Sequence, residues 1–141
     1  MDRSEDRTSP ARGVALTAVA WLLQVLGFAV FILMGIGKLA GWEDFAQTFE
    51  EIGAGQWLRY FVGVAEVAGA VGLLIPRLSG LAASGLTLVV AGAAVTHLAV
   101  LRDSGWALPV VLIVLMGALA WIRRAETASL PSFVRGLLGR D

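Results

Sequence analysis

From Trp57 to Pro76 the chain is largely apolar and long enough to cross a bilayer, yet Glu66 stands near its middle. A charge at the centre of a membrane helix costs about 2.5–3.5 kcal/mol on insertion scales. It therefore needs a partner, a water-filled cavity or a chemical task. That requirement limits what the chain can fold into, because the helix carrying Glu66 has to turn that face toward other helices.

The rest of the sequence belongs to the same class. Of 141 residues, 57% are hydrophobic and only 16% charged, against roughly a quarter charged in soluble domains, and the mean hydropathy is +0.78. The charges are concentrated between long uncharged stretches, the pattern of a polytopic membrane protein. Formal net charge is zero, so nothing points to nucleic acid. The absence of cysteine excludes dithiol–disulfide chemistry and thiolate metal sites in this chain. With a single His and no HxxxH or paired-carboxylate spacing in the apolar runs, no metal site and no catalytic residue is assigned. The expectation leans away from a stand-alone enzyme, with membership of an oxidoreductase complex left open.

Residues 1–13 read as a polar segment. Spans are expected over about 14–40, 57–76, 80–101 and 106–122, and residues 123–141 form an amphipathic tail. The first run is too long for a signal-peptide core. Between the first two spans, Trp42, Phe45, Phe49 and Ile52 recur at helical spacing among Glu43, Asp44, Glu50 and Glu51, predicting a short interfacial helix. Pro76–Gly80 and Arg102–Gly105 read as tight turns, and Pro109 falls in the first turn of the last span, where its missing N–H matters least. The fold class expected is all-α, an antiparallel four-helix transmembrane bundle, with spans of about 26–40 Å at the α-helical rise. With the N-terminus inside, Arg3, Arg7, Arg12, Arg77, Arg123, Arg124, Arg135 and Arg140 share one side, against Lys38, Arg59 and Arg102 on the other. The positive-inside rule then puts both termini in the cytoplasm.

Three ionisable side chains stand within or at the edge of the spans: Lys38, Glu66 and His97. All three fall in the outer half under this topology, Glu66 roughly 13 Å and His97 about 6 Å below their span ends by helix rise. The Lys38 and Glu66 levels differ by about 8 Å on the same scale, a gap two long side chains nearly close. Gly63 and Ala70 share a face with Glu66, and Gly69 and Gly72 lie close by, so a neighbouring helix can approach there. A second stripe of small positions, from Ala82 to Thr96, suits packing against it, whereas the fourth span has no polar side chain from Trp106 to Trp121 and reads as a lipid-facing support. Each candidate has a plain alternative: Lys38 as a snorkelling end anchor, His97 as a packing histidine bonded to a carbonyl, Glu66 as a lock for helix packing. Trp42, Trp57, Tyr60 and Trp106 are most simply an interfacial belt.

The strings Gly35-Ile36-Gly37-Lys38-Leu39, Gly63-Val64-Ala65-Glu66-Val67-Ala68-Gly69, Leu73-Leu74-Ile75-Pro76-Arg77 and Ala93-Ala94-Val95-Thr96-His97-Leu98 occur in that order on three consecutive runs. In that arrangement the chain resembles the DoxX and DoxX-like family of small four-helix membrane proteins, over about residues 15–122. The resemblance implies an inner-membrane protein and singles out Lys38, Glu66 and His97. Members of that family have been linked to quinone-coupled thiosulfate oxidation, to oxidoreductase complexes in oxidative-stress defence, and to helper roles for other membrane proteins. The expected function is an accessory or quinone-like, lipophilic-ligand-binding component of a membrane redox or stress-response system. No cofactor motif is evident, although a quinone fits the family's associations. The alternatives are a small proton-coupled transporter and a membrane-protein assembly factor. The lipid bilayer, a membrane or redox protein and a second copy of the chain are the partners considered.

Overall fold

A computed structural model describes residues 10–139, and within them the chain is helical, with no strand. α1 is Pro10–Ala40, α2 Glu43–Ile52, α3 Gln56–Leu73, α4 Ser79–Val95, α5 Ala107–Ile122 and α6 Arg124–Leu138. A π-helical turn, Thr96–Leu101, continues α4, and a 3₁₀ turn, Ser104–Trp106, leads into α5. Of the 1–13 segment expected to be polar, residues 1–9 lie outside the described residues, and Pro10 already begins α1.

Three helical segments, Pro10–Ala40, Ser79–Leu101 and Ser104–Ile122, are long and apolar enough to cross a membrane. α3 is not among them by that measure, and its composition explains why. Arg59 and Glu66 fall on one stripe with Gly63, Ala70 and Leu73, and all five are buried. The polar load of α3 is thus turned inward, while Trp57, Tyr60, Phe61, Val64 and Val71 face out.

α1 lies against α3, α3 against α4, α4 against α5, and α5 returns to α1. Phe31, Ala70, Leu73, Leu86, Val90, Leu112, Met116 and Leu119 form the shared core. α5, expected to be a lipid-facing support, therefore contributes a buried stripe of Pro109, Leu112, Met116 and Leu119. In a uniformly apolar run the inward face leaves no periodicity to read.

The α1–α3 seam is the closest. A Cβ on Gly35 would come within 2.8 Å of Val67 Cγ2 and 3.0 Å of the Gly63 carbonyl, and one on Gly63 within 3.0 Å of Leu39 Cγ. Only glycine at both positions lets the backbones meet. Each helix also closes the other's C-terminal end, where carbonyls lack intrahelical donors. Arg59 Nη1 donates to the Lys38 carbonyl. Gln24, fully buried, donates from Nε2 to the Leu73 carbonyl at 2.6 Å and accepts from Arg123 Nη2 at 2.8 Å. α1 itself stops in a Schellman arrangement: Gly41 is left-handed (φ 73°), and Gly41 and Trp42 donate to the carbonyls of Lys38 and Gly37.

At about 46 Å by helix rise, α1 outruns the other helices, and every residue from Pro10 to Val19 is exposed. α6 packs against α4 and α5, with the Arg77 guanidinium 4.4 Å from the Phe133 ring centroid.

Gly35→Leu should destabilise the protein by about 1–3 kcal/mol through overpacking of the seam. Gly117→Ala, at a glycine with nothing within 4 Å of the added carbon, should be neutral or gain up to about 1 kcal/mol from helix propensity. Thermal unfolding in detergent measures both, and equal losses would contradict the seam.

Candidate functional site

The close Gly35–Gly63 approach determines what happens next to it. Lys38 lies one turn beyond Gly35, and Glu66 one turn beyond Gly63. A helical side chain leans toward its own N-terminus. Contacts step from Gln24–Leu73 through Gly35–Val67 to Leu39–Gly63 and Gly41–Arg59, so numbering rises along α1 as it falls along α3. The two side chains consequently lean toward one another. Lys38 Nζ reaches Glu66 Oε1 at 3.0 Å and Oε2 at 2.8 Å, and both side chains are almost wholly buried. The ammonium also lies 4.4 Å from the centroid of the Phe45 ring on α2, a cation–π contact. Lys38 therefore turns inward and does not snorkel.

α2 lies over this pair. Its first turn carries Glu43 and Asp44, a favourable placement at a helix N-terminus, and its Phe49 is buried. A left-handed Gly53 ends the helix. The short helix expected between the first two apolar runs is present, and its apolar side covers a cavity.

That cavity has a volume of about 590 Å³. Its walls come from α1 (Met34, Lys38), α2 (Phe45, Phe49, Ile52), α3 (Phe61, Val62, Glu66), α4 with its π-helical turn (Leu88, Gly92, Ala93, Thr96, His97) and α5 (Leu108, Leu112). The lining is predominantly apolar, with the ion pair and His97 among its few polar groups.

His97 shares the cavity but makes no hydrogen bond to Lys38 or Glu66. Its Nδ1 lies 2.8 Å from Asp103 Oδ1, which also accepts from the Gly105 amide at 2.8 Å. The partner is thus a carboxylate six residues along the chain, not the backbone carbonyl considered from sequence. The π-helical turn and the left-handed Arg102 (φ 51°) fold the chain back so that the two meet. The Gly105 amide and, after it, the imidazole hold the Asp103 carboxyl below the usual aspartate range.

Sequence reasoning missed three of these contributors. Arg59 reads from sequence as an outer basic residue, although it lies seven positions before Glu66 and so on the same helical face. Asp103 reads as part of a tight turn. Phe45 reads as an apolar position of the short helix, with no sign that it sits on the ammonium.

The described chain is a helical protein whose apolar segments match membrane dimensions and whose buried ion pair faces an apolar cavity. It belongs to the DoxX-like family: the family model matches residues 22–119, a stretch that includes Lys38, Glu66 and His97. It is accordingly a DoxX-like membrane protein. No curated protein and no solved structure matches the chain.

Removing one member of a buried pair strands the other charge, an effect of about 3–5 kcal/mol. Lys38→Met and Glu66→Gln should each lower thermal stability by an amount of that order, and the double substitution should recover a large part of the loss. Additive losses would mean that the pair is not coupled. Beside the cavity, the lowered Asp103 pKa means that its clasp on Gly105 is intact above the ordinary aspartate value and opens only as pH falls through the depressed one. The Gly105 amide resonance should therefore show its carboxylate-linked step below the reference value of about 3.9. A step above it would contradict the clasp.

Proposed function

We propose that this protein is an antiparallel four-span bundle, α3 included, that binds a lipophilic small molecule carrying a polar head. The ligand is of the quinone type, and the protein serves as a non-catalytic component of a membrane redox or stress-response system. The observation that carries this reading is the buried Lys38–Glu66 pair on the wall of the apolar cavity of about 590 Å³. Such a volume lies within the range of small-molecule sites, which are mostly apolar with a few polar groups that fix orientation.

Donor counting supports a ligand oxygen beside the pair. An ammonium has three N–H donors, and Glu66 takes two of them. The third is available to a carbonyl or hydroxyl oxygen in the cavity. His97, its Nδ1 engaged by Asp103, has Nε2 left for a second ligand oxygen. Lys38 and His97 would thus position the head, with Glu66 fixing the ammonium.

In this reading the membrane is the cell (inner or plasma) membrane and both termini are cytoplasmic, in line with eight basic residues on that side against three on the other. The cavity then opens in the outer half. A membrane or redox partner, or a second copy of the chain, would receive or deliver the ligand.

Proton-coupled transport is less well supported. Between the Lys38–Glu66 pair and the Gln24–Arg123 contact at the other end lies an apolar layer that includes Phe31, Ala70 and Met116, where the half-buried Thr87 hydroxyl already donates to the Ala83 carbonyl. The assembly-factor reading treats the ion pair as a packing lock, which its place at the Gly35–Gly63 seam also allows.

Binding of a tail-bearing benzoquinone to purified protein in nanodiscs separates these readings. The wild type should bind, and the Lys38→Met/Glu66→Gln double variant, which removes both charges together, should bind about tenfold more weakly or worse, equivalent to at least 1.4 kcal/mol. Equal affinity in the two proteins would remove the pair from ligand binding and leave the packing role.

A further inference from the structure

We infer that the cavity is loaded sideways from the bilayer, through a crevice between α3 and α4, by an amphiphile with one flexible hydrocarbon tail that stays in the crevice while its head reaches Lys38 and Glu66. This rests on the preceding reading that the cavity holds a lipophilic ligand, and adds the route and the shape of that ligand.

The crevice follows from where glycines pin α3. Toward the α2 end, α3 is held to α1 by Gly35 and Gly63. At its other end it is held to α4: a Cβ on Gly69 would come within 2.6 Å of Leu86 Cδ2, and one on Gly72 within 2.9 Å of Ala82 Cβ. α3 stays on α1 at that end too, through Gln24 and Leu73, so what changes along its length is its distance from α4. α3 and α4 are tight at the Gly69–Leu86 level, and toward α2 the cavity is lined from both helices, by Val62 and Glu66 on one and Val89 and Gly92 on the other. On α4, Gly92 lies beyond that level, lines the cavity and has nothing within 4 Å of an added Cβ.

The side chains flanking the gap face two ways. Phe61 on α3 and Leu88 on α4 both line the cavity, yet they are 65% and 75% exposed. The wall there is one side chain thick, and the cavity reaches the surface that meets lipid. Val62 and Ala93 line the same part of the cavity and add no hydrogen-bonding side chain. The ammonium and carboxylate are withdrawn at the α1–α3 seam. Apolar at the mouth and charged at the blind end, the space matches a molecule that is apolar at its trailing end and polar at its leading end. On the water side, α2 with its buried Phe49 covers the cavity.

The test compares two probes on reconstituted protein: a decyl-tailed benzoquinone and the same ring without a tail. Gly92→Phe fills the crevice from a position with free space, and Leu88→Trp narrows it from an exposed one, so neither places demands on the core. Gly117→Phe on α5 is the control for added bulk. With thermal stability unchanged, both crevice variants should weaken binding of the tailed probe about tenfold, leave the tail-less ring within about twofold, and differ from the control. Unchanged affinity for the tailed probe in both variants would overturn the lateral route while leaving the ligand-binding reading intact. An equal loss for both probes would also overturn it, since the substitutions would then act on the head. Failure of the wild type to bind either probe would bring down the parent reading and the route together.

Discussion

An ammonium and a carboxylate that cannot reach water have to find each other, and the architecture of this protein follows from that requirement. Lys38 and Glu66 are both buried, and each alone would be expensive in an apolar surrounding. Their pairing demands that α1 and α3 approach closely. Gly35 and Gly63 make that approach available within one turn of the charges. The same seam brings Arg59 onto the last turn of α1 and Gln24 onto the last carbonyl of α3. Polar side chains otherwise unwelcome in an apolar bundle thereby satisfy backbone groups that would lack donors.

The uneven contact between α3 and α4 is a second feature of this architecture. α3 follows α1 from Arg59 to Leu73 and meets α4 closely at Gly69 and Gly72, so the glycines serve two different faces. Gly35 and Gly63 act at one end, Gly69 and Gly72 at the other. The volume released on the open side is where α2, the π-helical turn and His97 gather. The π-helical turn matters here because an inserted residue shifts the register of everything after it. His97, one turn after Ala93, meets the cavity in the register of α4, and the turn that follows brings Asp103 back to its Nδ1.

Much of this was legible in the sequence, and the illegible parts share a physical reason. Hydropathy located the apolar runs because each is long and carries few charges. Small residues around Glu66 showed that its face is turned toward protein. The distance arithmetic that placed Lys38 within reach of Glu66 relied only on helix rise and side-chain length. Contacts that depend on the third dimension were out of reach. Arg59 carried a usable signal in its seven-residue offset from Glu66, but a positive-inside count treats a basic residue as a label of sidedness and not as a capping group. The inward face of α5 left no pattern, because Leu112 and Met116 are no more apolar than their outward neighbours. The His97–Asp103 contact depends on a π-helical turn and a left-handed Arg102, which hydropathy does not encode.

The cavity beside the ion pair favours the proposed binding role over a packing role. Protein interiors close around their side chains and leave few voids larger than a water molecule, and unfilled volume in a core destabilises. A carboxylate and an ammonium kept only to fix helix register would be sealed by apolar neighbours on all sides. Here one flank is sealed, by the Phe45 ring, and another borders open volume, with an N–H of Lys38 left over once Glu66 has taken two. Gly92, which could carry a larger side chain, keeps that volume open where a bulkier residue would close it. An arrangement that forgoes packing beside its most expensive charges makes physical sense when something else fills the space.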